Sequence, residues 1–263
     1  MNKTVSSNSR LLVTVENAVK RITFNCPERR NSIDFEMFTL LADAIRESAA
    51  DGSRVIVLTG AGESFCAGAD LAAASAGDIA SFDVTAHVRE QINPTIRLMR
   101  ELPVPFIARV HGPAVGIGFS YALACDMIVA SDTATFSQSF VRIGLMPDGG
   151  STYFLPRLVG RAKAFELMAT GAQLSAQEAL QIGLINRVVP FAELDATVDQ
   201  LAESFVRSPQ IALANIKAAL GERDLAAALD FEAVGQNACF HSADFLEGVT
   251  AFMQKRKAVF GKR

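Results

Sequence analysis

The chain has 263 residues, half of them hydrophobic and a fifth charged, which is the balance of an ordinary globular protein with room for a sizeable core. Its formal net charge of −3 excludes the strongly basic surface on which wrapping of nucleic acid depends. Because residues 1–10 are polar and no uncharged apolar run reaches the roughly 18 residues of a membrane span, we expect a cytoplasmic protein with neither a secretory signal nor a membrane segment.

The N-terminal part of the chain alternates between strand and helix patterns. Leu11–Glu16 and Lys20–Phe24 predict a hairpin of two short strands. Asp34 is a candidate N-cap for a helix over Phe35–Ala49, where apolar residues recur every three or four positions. The uninterrupted apolar run Val55–Leu58 predicts a strand that is buried on both faces.

The same alternation continues through the middle of the chain. The small and polar stretch Ala72–Asp83 predicts a mobile loop, and the next helix runs over Val84–Glu101 until two prolines stop it. Phe106–Val110 and Met127–Ala130 predict strands, with a buried helix over Gly118–Cys125 between them. Repetition of this order predicts an α/β core.

The pattern changes near residue 190. Ser175 and Glu178 form the capping box of a short helix, which Gly183 ends before a strand over Leu184–Val189. Beyond that strand only helical periodicity is present. This C-terminal helical part is too short to bury much by itself, so we expect it to pack on its own core or on another subunit.

Two segments, Gly62–Leu71 and His111–Phe119, share one design: a buried strand, a glycine-rich turn and a helix. A helix start presents unpaired N–H groups and the positive end of the helix dipole, and glycine lets a ligand approach the backbone closely. If both turns converge, two N–H donors point at one oxygen and form an oxyanion hole. The alternative is that the glycines only permit close packing of strand and helix.

A third segment, Gly144–Ser151, places the carboxylate of Asp148 in an apolar, glycine-rich loop. Burial raises the pKa of a carboxylate, which suits it to act as a base near neutral pH. The alternative is that Asp148 merely caps the following helix. Ser120 lies in a partial match to the nucleophile motif G-x-S-x-G that lacks the final glycine, so it is either a hydrolase nucleophile or a small polar residue of a pocket wall.

In this order and spacing, these segments resemble the crotonase superfamily, also called the enoyl-CoA hydratase/isomerase family. The resemblance covers nearly the whole chain, and its further motifs are Asn25-x-Pro27-Glu28-x-x-Asn31, Cys125-Asp126, Gly160-Arg161-Ala162 and Asp244-x-x-Glu247-Gly248-x-x-Ala251-Phe252-x-x-Lys255-Arg256. It implies a spiral of ββα units over residues 1–195 and a helical trimerisation region over 196–263. Within the first region, we expect residues 1–9 to form a disordered tail. Members are usually homotrimers or hexamers, and their typical substrate is a coenzyme A thioester.

The resemblance also implies roles at the site. The two oxyanion donors fall on the N–H groups of Ala69 and Ile117, with Asp148 as the acid/base. The further residues expected to contact the substrate or its coenzyme A are Arg29, Arg30, Ala67, Gly68, Asp70, Leu71, Gly116, Ser120, Phe140, Phe252 and Lys255. Arg29 or Arg30 is expected to reach the phosphates of coenzyme A. Phe252 and Lys255 are expected to contact coenzyme A that is bound to a neighbouring subunit.

The carboxylates suggest which reaction is catalysed. Hydratases of the family hold and activate water with two glutamates, whose positions here are Ser120 and Phe140. Asp148 instead matches the carboxylate of the isomerase branches, the Δ3,Δ2-enoyl-CoA isomerases and, closer still, the 1,2-epoxyphenylacetyl-CoA isomerases. We therefore predict isomerisation of a double bond. The alternatives are an enoyl-CoA hydratase or acyl-CoA hydrolase on the same fold, and a non-catalytic RNA-binding or scaffold member.

No cofactor is expected apart from the coenzyme A of the substrate. The four cysteines lack C-x-x-C spacing and the three histidines are far apart in the sequence, so no metal site is predicted. The acidic balance argues against nucleic acid as a partner. The expected partners are therefore an acyl-CoA and further copies of the chain.

Overall fold

The computed structural model describes residues 4–8, 10–71, 82–220 and 225–259. These residues form a seven-stranded sheet, a three-stranded sheet and the helices that surround them. Most of the predicted mobile loop Ala72–Asp83 lies outside the described residues.

The larger sheet has the strand order β1-β2-β3-β4-β5-β7-β10 and the smaller one the order β6-β8-β9. Every neighbouring pair from β3 onward in the larger sheet is parallel, while β1, β2 and β3 pair antiparallel. The strands are β1 Thr4–Asn8, β2 Leu11–Glu16, β3 Val19–Phe24, β4 Val55–Gly60, β5 Phe106–Val110, β6 Pro113–Val115, β7 Met127–Ser131, β8 Thr135–Ser137, β9 Gln173–Ser175 and β10 Arg187–Val189.

Strand β1 corrects the prediction of a disordered tail over residues 1–9. Its backbone pairs with β2 from Thr4 opposite Val15 to Asn8 opposite Leu11. Strand pairing of this kind uses the N–H and C=O groups that every such residue carries, so polar side chains gave no sign of it. Residues 1–3 and 9 lie outside the described part of the chain.

The helices predicted between residues 35 and 190 are present, and the helix over Arg161–Thr170 is an additional one. They are α1 Phe35–Glu47, α2 Val84–His87, α3 Asn93–Glu101, α4 Ile117–Ala124, α5 Ser151–Val159, α6 Arg161–Thr170, α7 Ala176–Gln181, α8 Leu194–Arg207, α9 Gln210–Ala219, α10 Leu225–Phe240 and α11 Ala243–Met253. A π-helical segment, Val88–Ile92, joins α2 to α3, so the predicted helix over Val84–Glu101 is confirmed as one continuous helical stretch. Single turns of 3-10 helix lie at Pro27–Arg29, Ser139–Ile143 and Phe191–Glu193.

Two predicted caps are confirmed and one strand is shorter than predicted. Asp34 Oδ1 accepts a 3.0 Å hydrogen bond from Met37 N at the start of α1. Ser175 and Glu178 form a reciprocal capping box at the start of α7. The strand predicted from Leu184 begins only at residue 187, because Leu184 N donates to Ala179 O and so belongs to the turn that ends α7.

Strand β4 is buried on both faces, as its apolar run predicted. Ile56 and Leu58 belong to the main core, whereas Val55 and Val57 belong to a second cluster on the opposite face of the sheet. Helix α8 covers that second cluster with Leu194, Val198, Leu201 and Ala202. This central strand ends at Gly60, directly before the first glycine-rich turn.

The last two helices fold back over the core of their own chain. Helix α10 packs against α2, the π-helical segment and α5, and α11 packs against the turn Ser139–Ile143. A close approach at Gly248 makes the second contact possible, because a Cβ there would lie 2.7 Å from the backbone of Ile143. Within the described residues, no helix has both the length and the apolarity needed to cross a bilayer.

Candidate active site

The two glycine-rich turns converge, which is the condition that the oxyanion-hole hypothesis requires. Cys66 N donates to Pro113 O at 3.0 Å, and Val115 N donates back to Cys66 O at 2.9 Å. Beyond this bridge the turns touch: a Cβ added to Gly68 would lie 3.0 Å from Val115 O and 3.9 Å from the Cα of Gly116. Gly68 has a φ of +99°, so this approach depends on glycine both for space and for backbone conformation.

Each turn leaves one N–H group without a partner. Ile33 holds the first turn by donating to Gly68 O and accepting from Asp70 N, so the N–H of the residue between them, Ala69, faces the other way. Ile117 is the first residue of α4, where an N–H has no acceptor within the helix. Among the described residues, neither N–H has an intramolecular acceptor. Two free donors on adjoining turns are the arrangement that an oxyanion hole requires.

Both turns line a cavity of about 440 Å³. Ten of the predicted site residues lie in its wall: Ala67, Gly68, Ala69, Asp70, Leu71, Gly116, Ile117, Phe140, Asp148 and Phe252. The cavity therefore gathers residues that are more than 180 positions apart along the chain.

Asp148 is almost completely buried in this wall, with 5 % of its surface exposed. Its Oδ2 accepts a 2.9 Å hydrogen bond from Gln236 Nε2, and its Oδ1 is buried without a protein partner among the described residues. Burial raises the pKa of Asp148 from 3.8 to about 7; the Gln236 hydrogen bond opposes this change, and the charge of Glu232 adds to it. Such a carboxyl group can both accept and return a proton near neutral pH.

Asp148 is not the cap of the helix that follows it. Helix α5 has Gly150 at its N-cap position and no cap from its own segment. Its free N–H groups are bound by Glu232 of α10, whose carboxylate accepts from Gly150 N at 2.8 Å and from Thr152 N at 2.9 Å. The side chain of Asp148 thus remains available to the cavity.

Sequence reasoning missed Gln236 and Glu232. They lie one turn apart on α10, on the face that also carries the buried residues Leu229 and Ala233. Glu232 is completely buried and Gln236 is 3 % exposed. Two polar residues at i and i+4 within an apolar helical face were the available signal, since buried polar groups are expected to have specific partners.

An aromatic cluster forms a further part of the cavity wall. The ring of His87 lies 5.0 Å from that of Phe35 and 5.2 Å from that of Phe38, both edge-on, and Phe82 contacts Phe240 at 5.7 Å. Burial lowers the pKa of His87 to about 4, so the imidazole is neutral under physiological conditions. This part of the cavity offers apolar and aromatic surface rather than charge.

Ser120 lies outside the cavity wall that the sequence-based interpretation gave it, and it lacks the contacts of a nucleophile. It is completely buried, and its hydroxyl group lies 2.7 Å from Ser151 Oγ and donates to Asp148 O at 3.0 Å. No imidazole contacts it within the described residues, so it lacks the base that a hydrolase serine needs. Ser120 instead holds the loop that carries Asp148.

The predicted basic contacts lie outside the cavity wall. Arg29, Arg30 and Lys255 are exposed on the surface, and Arg29 forms a 2.6 Å ion pair with Asp70 of the first turn. Phe252 lines the cavity of its own chain, whereas the resemblance implied contact with coenzyme A on a neighbouring subunit. Within the described part of the chain, His, Cys, Asp and Glu side chains form no group of three that could hold a metal ion.

Comparison with known proteins finds relatives whose similarity extends over more than nine tenths of this chain. The sequence model described as "Enoyl-CoA hydratase/isomerase" matches residues 14–263. The chain is 39% identical over 255 residues to the 1,2-epoxyphenylacetyl-CoA isomerase of Escherichia coli, covering 95% of this chain and 97% of that protein. It is 37% identical over 245 residues to the "Probable enoyl-CoA hydratase" of Rhodobacter capsulatus, covering 92% and 94%.

Solved structures give the same result for the fold. The crystal structure of an enoyl-CoA hydratase from Mycobacterium avium subsp. paratuberculosis superposes with a TM-score of 0.88 at 36% identity. The match covers 97% of this chain and 100% of that one.

Proposed function

Because the chain belongs to the enoyl-CoA hydratase/isomerase family, we propose that it isomerises the double bond of an acyl-CoA thioester, with Asp148 as the single acid/base. The observation that carries this proposal is the unpartnered Oδ1 of Asp148, buried in the same cavity wall as two free backbone N–H groups. The N–H groups of Ala69 and Ile117 would bind the thioester oxygen.

The backbone donors would supply the electrostatic part of catalysis. A proton next to a thioester carbonyl is too weakly acidic to be removed by a carboxylate in water. Donors aimed at the oxygen bind the negative enolate more strongly than the neutral carbonyl, which lowers the barrier to its formation. One such donor typically contributes about 2.7–4 kcal/mol, or roughly 10²–10³ in rate.

Asp148 would perform the proton transfer. Its carboxylate takes a proton from one carbon of the bound ester, and the electron pair of that C–H bond delocalises into the enolate. The neutral carboxyl group then returns the proton two carbons away, which moves the double bond without net consumption of acid or base. A pKa of about 7 allows both steps at neutral pH, because neither protonation state is strongly favoured.

The other carboxylates of the cavity wall support a single-base mechanism. Asp34 caps α1 and forms an ion pair with Arg10, and Asp70 forms an ion pair with Arg29. The positions at which family hydratases carry their glutamates hold Ser120 and Phe140, and neither side chain can activate water. Asp148 is thus the carboxylate in this wall whose second oxygen is left for the substrate.

The aromatic cluster favours an acyl group with an aryl ring or a long apolar chain. Phe35, Phe38, Phe82 and Phe240 line the cavity, and the neutral His87 adds no charge. Aromatic side chains pack well against a ligand ring in this arrangement. The similarity to an isomerase whose name specifies an epoxyphenylacetyl-CoA substrate supports the same choice.

The test is to replace the proposed base and follow the acyl-CoA product. We expect wild-type protein to convert 3-hexenoyl-CoA to the conjugated 2-enoyl ester, detected by ultraviolet absorbance, with mass spectrometry showing no added water. Asp148→Asn should lower turnover by at least about 10³-fold, since the amide cannot carry the proton. Glu166→Gln, the same chemical change at an exposed carboxylate of α6, is the matched control and should leave turnover unchanged. Full activity of Asp148→Asn would rule the proposal out.

Hydration is the second candidate, favoured by one observation. Gln236 Oε1 is buried without a protein partner among the described residues, in the wall that also carries Asp148, and a polar atom of this kind can hold a water molecule. Incubation with crotonyl-CoA separates the two functions. An isomerase leaves that ester unchanged, whereas a hydratase adds the mass of one water.

A further inference from the structure

The loop of Asp148 is held from one side by two residues of α10 that have different contacts. Gln236 donates from Nε2 to Asp148 Oδ2. Glu232, one turn earlier on the same helix, binds the N–H groups of Gly150 and Thr152 and the hydroxyl group of Thr152. One helix therefore contacts both the carboxylate and the helix start directly behind it.

We propose that Gln236 and Glu232 are positioning residues that act on Asp148 in opposite directions, one anchoring its carboxylate and the other keeping the start of α5 from capturing it. This inference rests on the proposed role of Asp148 as acid/base. It assigns proton transfer to Oδ1, because Gln236 occupies Oδ2.

The anchoring role of Gln236 follows from its contact and from its surroundings. Without the hydrogen bond from Gln236, the carboxyl group of Asp148 could rotate and either oxygen could face the cavity. Its proton would then be presented in more than one place. The hydrogen bond from Nε2 fixes the plane of the carboxylate and stabilises its ionised form. Gln236 is an amide, so it does this without adding a charge or titrating.

The role of Glu232 follows from the electrostatics of a helix start. The N–H groups of Gly150 and Thr152 lie at the positive end of α5, two and four residues after Asp148, and would attract the nearest anion. Glu232 satisfies them with its own carboxylate, and its negative charge opposes ionisation of Asp148. Without Glu232, Asp148 becomes the nearest available anion for the helix start.

Few other ionisable groups face Asp148. Burial raises the pKa of the Tyr121 phenol on α4, and the nearby charge of Asp148 raises it further, so this phenol stays neutral. The cavity wall also carries His87 of α2, which is neutral, and the cation of Arg142 from the turn Ser139–Ile143. Its other carboxylates, Asp34 and Asp70, form ion pairs with Arg10 and Arg29. Replacement of Gln236 or Glu232 leaves these groups in place, so the effects of the two replacements can be compared directly.

The experiment measures the pKa of Asp148 in the full chain by ¹³C NMR of aspartate carboxyl groups, with its signal assigned by its absence from Asp148→Asn. Gln236→Met, which keeps the shape of the side chain and removes the donor, should raise this pKa by about one pH unit, a tenfold change in proton affinity. Glu232→Gln should lower it by a similar amount. The acid limb of the pH profile of kcat should move the same way in each variant, with KM little changed.

Opposite displacements support the inference, because a general loosening of the loop would move both variants in one direction. Unchanged values, or displacement of both in the same direction, would overturn it. If Gln236→Met does not fold, Gln236→Asn, whose amide is too short to reach Oδ2, replaces it with the same expected sign. The proposed function fails separately: turnover that survives in Asp148→Asn removes the acid/base role, whatever the NMR titrations give.

Discussion

At the scale of single residues, the site depends on one carboxyl group kept away from water. Asp148 was identifiable from its sequence because a carboxylate within an apolar, glycine-rich loop is unusual. Its contacts were not identifiable, because Gln236 and Glu232 lie more than 80 positions away. Ser120 shows the converse: its motif suggested exposure at a site, but its hydroxyl group serves as an internal support of the Asp148 loop.

The buried carboxyl group should make stability depend on pH in a predictable direction. The pKa of Asp148 is about 7 in the folded protein against 3.8 for an ordinary aspartate, so the folded state prefers the neutral form. The contribution of the Asp148 carboxyl group to the free energy of unfolding is fully present below about pH 4 and is lost as pH rises through about 7. The loss amounts to at most about 4 kcal/mol, from 1.36 kcal/mol per pH unit.

An Asp148→Asn variant does not undergo this loss. Relative to wild type, its free energy of unfolding should therefore increase between pH 4.5 and pH 8.5 by up to about 3 kcal/mol. Urea denaturation of both proteins at matched concentration measures the difference, in which the titrating groups that do not interact with Asp148 cancel. A difference that stays constant across this range would show that Asp148 is ionised at both ends.

At the scale of elements, the proposed oxyanion donors depend on how two turns approach each other. Gly68 and Gly116 both have positive φ values, of +99° and +55°, and Gly118 lies so close to Cys66 that an added Cβ would be 2.6 Å from its side chain. The glycine pattern indicated this approach. The glycines also have the packing role that the alternative interpretation gave them. The same close contacts that pack strand against helix place the two turns side by side.

Replacing Gly68 should therefore affect turnover more than stability. Gly68→Ala introduces strain at positive φ and a contact of 3.0 Å with Val115 O, which displaces the neighbouring N–H of Ala69. We expect turnover to fall by roughly 10²–10³-fold, the effect of losing one oxyanion donor. Gly183→Ala is the matched control: it has a φ of +75° and nothing within 4 Å of its Cβ, so it carries backbone strain of about 1–2 kcal/mol away from the cavity. Equal loss of turnover in both variants would contradict the assignment of the donors.

At the scale of the whole molecule, several large apolar side chains are left exposed on the C-terminal helices. Ile211 is 81 % exposed and Leu220 is 73 % exposed, both at the ends of α9, and Phe231 on α10 is 69 % exposed. Exposed apolar surface of this kind often marks contact with another subunit. We therefore retain the prediction of a homotrimer or hexamer.

Light scattering coupled to size-exclusion chromatography tests that prediction. Wild-type protein should elute with three or six times the chain mass of 28.1 kDa. Ile211→Glu should shift the population towards the monomer, because burial of an unpaired charge in an interface is unfavourable. Gln200→Glu, at an exposed position of α8, is the control that should leave the mass unchanged. A monomeric wild-type protein would disprove the prediction.

The family, six strands of the larger sheet and the two glycine-rich turns could be predicted from the sequence alone, which also supplied Asp148 as the candidate carboxylate. These features are local, since periodicity, caps and glycine spacing act over a few residues and are legible without tertiary structure. Three features became visible only in the folded chain: Thr4–Asn8 join the sheet, Ser120 is withdrawn from the cavity and α10 supplies partners to the Asp148 loop. Such contacts join residues distant along the chain, and their identity depends on which face each helix turns inward when the core closes.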